Sequence, residues 1–121
     1  MLVCEAIKEA DRLKPNAFPT EDKLRWLERL ERRVHNEILA HYKTPTTEVA
    51  PFGPEDMERE LLVAAPYDEM YIHWLCAQMD YYEREPDSFN ASNGMFEAVW
   101  VSFRNWYNYN NNANTAAKKY F

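Results

Sequence analysis

Four side chains that can bind a metal ion lie close together in the sequence, at Glu69, His73, Cys76 and Asp80. Imidazole, thiolate and carboxylate groups are all zinc ligands, and this spacing places the four along one side of a helix. Such a row spans about 16 Å of the helix axis, so one ion can reach at most two or three of its members. We therefore predict a polar stripe that faces solvent or a neighbouring subunit, with no metal and no other cofactor.

Patterns typical of catalytic sites are also missing from the sequence. Neither a GxSxG motif nor a P-loop occurs, and Gly53 and Gly94 are the two glycines of the chain, too few for a glycine-rich phosphate cradle. The adjacent carboxylates of Asp68 and Glu69 point about 100° apart on a helix, which does not suit general acid–base catalysis. The sequence thus predicts that the protein is not an enzyme.

Arginine residues form the most informative polar feature, at Arg25, Arg29, Arg32 and Arg33 on the outer side of one predicted helix. Glutamates four residues earlier can pair with Arg25 and Arg32, which leaves Arg29 and Arg33 without a partner in the sequence. One interpretation is a solvated face. The other is contact with an acidic partner surface, such as the EDMERE segment (residues 55–60) of a neighbouring copy. The net charge of −6 disfavours sequence-specific DNA binding.

Hydrophobic periodicity predicts that four helices carry these residues in an all-α bundle. The predicted helices cover residues 2–13, 21–42, 66–85 and 87–108. A long proline-rich connection, residues 43–66, separates the second and third helices, and within it LLVAA (residues 61–65) fits a short strand or an extended segment. Residues 1–108 form a single helical domain in this interpretation, and the asparagine-rich residues 109–121 form a flexible tail.

Aromatic residues are unusually frequent, at 18 of 121, and fourteen of them lie at or beyond Tyr67. The third helix is apolar around more than half of its circumference, so we expect it at the centre of the fold or in a subunit contact. Aromatic side chains dominate interface energetics, and arginines add charge complementarity. The candidate partner-binding residues are Arg25, Arg29, Arg33, Tyr71, Trp74, Tyr82, Trp100, Trp106, Tyr120 and Phe121.

The start of the chain lacks a long apolar run, and no stretch of about 18 apolar residues occurs in the sequence. We therefore expect no signal peptide, no membrane association and a cytoplasmic protein. In that compartment Cys4 and Cys76 would stay reduced and act as small apolar side chains.

Three stretches of the sequence are similar to segments of one known protein family. They are AIKEADRLKPNAFPTEDKLRWLERLERRV, LLVAAPYDEMYIHWLCAQMDYYERE and FNASNGMFEAVWVSFRNWYN, which together cover most of the chain up to about Asn108. The similarity rests on three motifs: the apolar run leading into P-Y-D-E, the aromatic-rich DY and the final F-R-x-W-Y-N. The chain in this respect resembles small proteins from the head-morphogenesis region of tailed phages and prophages of Gram-positive bacteria. The asparagine-rich ending does not match that family.

This resemblance implies a head–tail connector, or adaptor: a helical subunit that forms a ring below the portal and joins the head to the tail. Its partners would be further copies of itself, the portal and tail-proximal proteins, with at most non-specific passage of DNA. It would occur in the virion, and in the host cytoplasm during assembly or as a prophage product. The alternatives are a small prophage-encoded regulatory protein that binds its target through the arginine face, and a metal-dependent enzyme using His73, Cys76 and Asp80.

Overall fold

The computed structural model describes residues 1–39 and 49–120, with side chains described up to residue 111. This part of the chain contains four α-helices and no strand, so the predicted all-α bundle is confirmed. The helices are α1 (Val3–Leu13), α2 (Thr20–Glu37), α3 (Glu69–Tyr82) and α4 (Pro86–Tyr120). A short 3-10 helix, Pro54–Asp56, lies between α2 and α3.

Two predicted helix ends are wrong. Helix α2 ends at Glu37 rather than at residue 42. Residues 40–48, which include the start of the predicted connection at residue 43, lie outside the described part. Helix α4 continues to Tyr120 instead of ending near residue 108. The amides of Asn110 and Asn111 donate to the carbonyls of Trp106 and Tyr107 one turn earlier, and the alanines and lysines beyond them are good helix formers. The region predicted as a tail therefore continues α4.

Helices α3 and α4 form an antiparallel hairpin. Aromatic pairs mark its register along the whole length, since Tyr81 packs on Phe89 near the turn, Trp74 on Phe96 in the middle and Tyr67 on Phe103 at the far end. In the turn Arg84 adopts φ 57°, and the Glu85 amide donates to the Asp80 carbonyl at 3.0 Å. A left-handed residue at this point ends α3 and reverses the chain.

Helix α3 lies at the centre of the fold, because it contacts α1, α2 and α4. This confirms the central position that its wide apolar circumference predicts. The apolar stripes of α1 and α2 close the core from the other side. Their buried members are Val3, Ala6, Ile7 and Ala10 on α1, and Leu24, Trp26, Leu27, Leu30 and Val34 on α2.

The described part of the connection, residues 49–68, is attached to its own chain. The Val3 amide donates to the Arg59 carbonyl at 3.0 Å, and the Leu61 amide donates to the Met1 carbonyl at 2.9 Å. Leu61 and Val63 are buried in the core. The chain bends at Leu62 and Val63 and turns from Ala65, so residues 61–65 adopt neither of the two predicted forms, a short strand or an extended segment.

Candidate protein-interaction surfaces

A buried hydrogen-bond network joins α2, α3 and the connection. The carboxylate of Glu31, itself 1% exposed, accepts hydrogen bonds from the Tyr71 hydroxyl and, at 2.9 Å, from the Leu62 amide. The Tyr71 hydroxyl also accepts a bond from the Val63 amide at 2.9 Å. Burial raises the pKa of both side chains, that of Tyr71 well above its ordinary value, and the proximity of Glu31 raises the Tyr71 pKa further. Tyr71 is thus a fully buried structural residue, and its prediction as a partner-binding residue is wrong.

A second network occupies the polar side of α3, where Asp80 is 2% exposed. Its carboxylate accepts hydrogen bonds from Lys14 at 2.6 Å and from Ser92 at 2.9 Å, and Lys14 also donates to Ser88 at 2.8 Å. Cys76 is buried as well, and burial raises the pKa of its thiol. The predicted solvated or inter-subunit stripe is therefore wrong for these two residues. Within residues 1–39 and 49–111, no three His, Cys, Asp or Glu side chains are grouped as metal ligands.

Trp100 belongs to the core as well, because it is 3% exposed. Its ring packs against Phe96 at 5.9 Å and is covered by the Arg33 guanidinium at 4.3 Å. Trp74 is half-buried: its indole nitrogen donates to the Trp26 carbonyl at 2.8 Å, and its ring lies 5.2 Å from Phe96. Both tryptophans make contacts within the chain, which separates them from the exposed aromatic candidates.

Among the predicted aromatic anchors whose side chains are described, Tyr82 and Trp106 are the accessible ones, at 49% and 47% exposure. They lie at opposite ends of the α3–α4 hairpin. Sequence reasoning missed Tyr81 and Tyr109, which are at least as exposed. Tyr81 lies one residue before the end of α3, and Tyr109 lies within α4 in the stretch that the sequence predicts as a tail. Tyr120 ends α4 and Phe121 follows it, and the side chains of both lie outside the described part.

The arginine residues of α2 differ in their burial and contacts. Arg33 is half-buried, lies over Trp100 and donates to Glu37 at 2.7 Å, so it serves packing within the chain. Arg25 and Arg29 are exposed. Arg25 pairs with Asp22 rather than with the glutamate that the sequence suggested, and Arg29 has no ion pair among the described residues. The Arg32 pair with its glutamate is present at 3.5 Å.

An open cleft of about 250 Å³ connects this arginine face to Tyr82. Its floor is a parallel stack of Trp26 and Tyr82, with ring centroids 5.6 Å apart, and Phe18 closes one end edge-on at 5.4 Å from Trp26. The cleft is lined by Phe18, Asp22, Arg25, Trp26, Arg29 and Tyr82. Aromatic floors bind apolar side chains and arginines bind carboxylates bidentately, so the cleft fits a protein segment that carries both.

No family model matches this chain, and no curated protein or solved structure matches it either. Within the described part, none of the helices has the length and apolar character needed to cross a membrane.

Proposed function

We propose that this protein is a phage structural protein, a head–tail connector subunit that assembles with copies of itself and docks onto portal or tail proteins. The observation that carries the proposal is the cleft between Tyr82 and Arg29. Half-exposed Tyr82 lies on Trp26, and beside them lies the guanidinium of Arg29, which forms no ion pair within the described part of the chain. Interfaces are enriched in aromatic and arginine side chains, which contribute most of the binding energy.

The separation of exposed aromatic residues also supports a ring subunit. A head-to-tail ring needs two different surfaces on each subunit, one for each neighbour. Tyr82 lies at the turn end of the α3–α4 hairpin, and Trp106 lies at the other end, about 25 Å away at 1.5 Å per residue. Two exposed aromatic surfaces this far apart can contact two neighbours at the same time.

Mass in solution, alone and with the portal and neighbouring head proteins, tests the proposal. We expect the native protein to join portal complexes, and we expect Tyr82→Ala and Arg29→Glu to weaken that association with the fold intact. Arg32→Glu is the matched control, because Arg32 is exposed on the same helix and lies outside the cleft. Recovery of a native protein that never enters portal complexes or virions would overturn the connector assignment.

The same cleft favours a second candidate, a small prophage-encoded regulator that binds an acidic segment of one target protein. The two candidates differ in where the protein ends up. A connector subunit is present in purified virions at a fixed number of copies, whereas a regulator is absent from virions and stays bound to its target in the cytoplasm. Quantitative mass spectrometry of purified virions therefore separates them.

A further inference from the structure

The sequence of α4 carries few charged residues. Residues 88–117 carry two formal charges, Glu97 and Arg104, although 28% of the whole chain is charged. Helix α4 packs on α3 through Phe96 and Phe103, and Arg33 of α2 covers Trp100. At 100° per residue, the exposed positions lie on the side of α4 opposite these contacts.

Small and apolar residues occupy this outward face. Ala91, Gly94, Ala98 and Val101 are exposed there at spacings of three and four, which makes one continuous row along the helix. A β-carbon added at Gly94 would meet no atom within 4 Å, so packing within the chain does not require glycine at this position. Glycine inside a helix costs about 1 kcal/mol relative to alanine, and it permits close approach of another backbone.

The residues beside this row are self-complementary. Glu97 and Arg104 lie two turns apart on one flank, are exposed, and form no ion pair with described residues. Exposed Met95 and half-exposed Trp106 lie on the opposite flank. Along the helix, the midpoint between Glu97 and Arg104 and the midpoint between Met95 and Trp106 coincide, and both lie between Trp100 and Val101.

We propose that the free protein pairs with a second copy through an antiparallel α4–α4 contact whose two-fold axis passes between residues 100 and 101. A two-fold axis places the same flank of each antiparallel helix against its equivalent. Glu97 of each copy then lies opposite Arg104 of the other, and Met95 lies opposite Trp106, which is a favourable sulfur–aromatic contact. Ala98 and Val101 of both copies lie nearest the axis, and Ala91 and Gly94 fall opposite the uncharged Asn105 and Tyr109 of the other copy.

Such a two-fold contact is complete in a dimer, so it differs from the head-to-tail contact of a ring, with which it shares Trp106, and it does not depend on the connector assignment. The paired residues, from Met95 to Trp106, span about 16 Å of the helix axis. That length is short for a stable interface, and we expect a reversible monomer–dimer equilibrium.

Charge reversal tests this pairing without disturbing the core, because both side chains are exposed. In sedimentation velocity over a concentration series, Glu97→Arg alone and Arg104→Glu alone should each raise the dimer Kd by about tenfold, since two symmetry-related attractive pairs become repulsive. The double variant Glu97→Arg/Arg104→Glu should restore the native Kd. Glu58→Arg, an equal charge change at an exposed residue of the connection, is the control and should leave the Kd unchanged.

Three results would overturn the proposal: a protein that stays monomeric up to about 1 mM, single reversals that leave the Kd unaltered, or a double variant that fails to recover. Circular dichroism checks that each variant retains its helix content. Loss of the dimer in the single variants with portal docking intact would leave the connector proposal standing, so the two proposals fail separately.

Discussion

Replacing Tyr71 by Phe removes one hydroxyl from the buried network that ties α2 and α3 to the connection. This hydroxyl donates to the Glu31 carboxylate and accepts a bond from the Val63 amide at 2.9 Å. The ring stays, so the apolar packing of the core is unchanged. The substitution leaves one carboxylate oxygen and one amide N–H buried without these partners.

The size of the effect follows from those two groups. A hydrogen bond to a charged group contributes about 1.5–3 kcal/mol, and a buried donor left unpaired costs about 1–3 kcal/mol. We expect Tyr71→Phe to lower the free energy of unfolding by roughly 3 kcal/mol, which corresponds to a fall in Tm of about 10 °C for a chain of this size.

The destabilisation should also depend on pH. Burial raises the pKa of Glu31 above its ordinary value of 4.5, while the hydrogen bonds from Tyr71 and Leu62 lower it. A carboxyl whose pKa is raised by folding stabilises the protein below its ordinary pKa, and that contribution is lost as the pH rises through the folded-state value. Without the Tyr71 hydroxyl the folded-state pKa rises further. Tyr71→Phe should therefore cost more stability near pH 7 than near pH 4.

Urea denaturation followed by circular dichroism at both pH values measures this difference. Tyr81→Phe is the matched control, because it removes the same hydroxyl from a side chain that is 62% exposed, and it should leave stability within about 0.5 kcal/mol of the native value. A loss below about 1 kcal/mol for Tyr71→Phe, or an equal loss at both pH values, would refute the role assigned to this network.

The structure supports three further predictions, two for substitutions and one for a thiol reaction. Lys14→Met leaves the buried Asp80 carboxylate without its cation, and we expect chemical denaturation to show a loss of about 2–3 kcal/mol, less than for a fully buried pair because Lys14 is 29% exposed. Gly94→Ala adds a methyl group in open space inside a helix, so thermal unfolding should show a gain of up to about 1 kcal/mol. The Cys76 thiol is buried and its pKa is raised, so a thiol reagent at neutral pH should modify half-buried Cys4 first and Cys76 only upon unfolding, as peptide mass mapping would reveal. Equal labelling rates for the two thiols in the native protein would contradict this.

The positions of the helices could be predicted where apolar spacing or a proline marks them in the sequence. The spacing of Val3, Ala6, Ile7 and Ala10 predicted α1, and Pro86 marked the boundary between α3 and α4. The end of α4 was not predictable from apolar periodicity, because asparagine side chains that bond to the preceding turn sustain a helix without any apolar stripe.

The candidate site was predicted in part. The arginine face and Tyr82 were identified, but the sequence could not show that Trp26 and Tyr82 stack into one floor across 56 residues of chain. Periodicity reports which side of a helix is apolar. It does not report which apolar side chain meets a neighbouring helix and which one reaches solvent.

The sequence by itself determined an all-α chain, because the hydrophobic period, the proline positions and the low glycine content restrict the backbone conformation of nearby residues. For the third helix it left two positions open, the centre of the fold and a subunit contact. Only the tertiary structure decided the roles of individual side chains. Tyr71 and Tyr82 lie on the same helix and have the same chemistry, yet Tyr71 is enclosed by Glu31 and Val63, whereas Tyr82 lies at the helix end beside an open cleft. Burial depends on what the rest of the chain brings to each position, and that arises when the helices pack together.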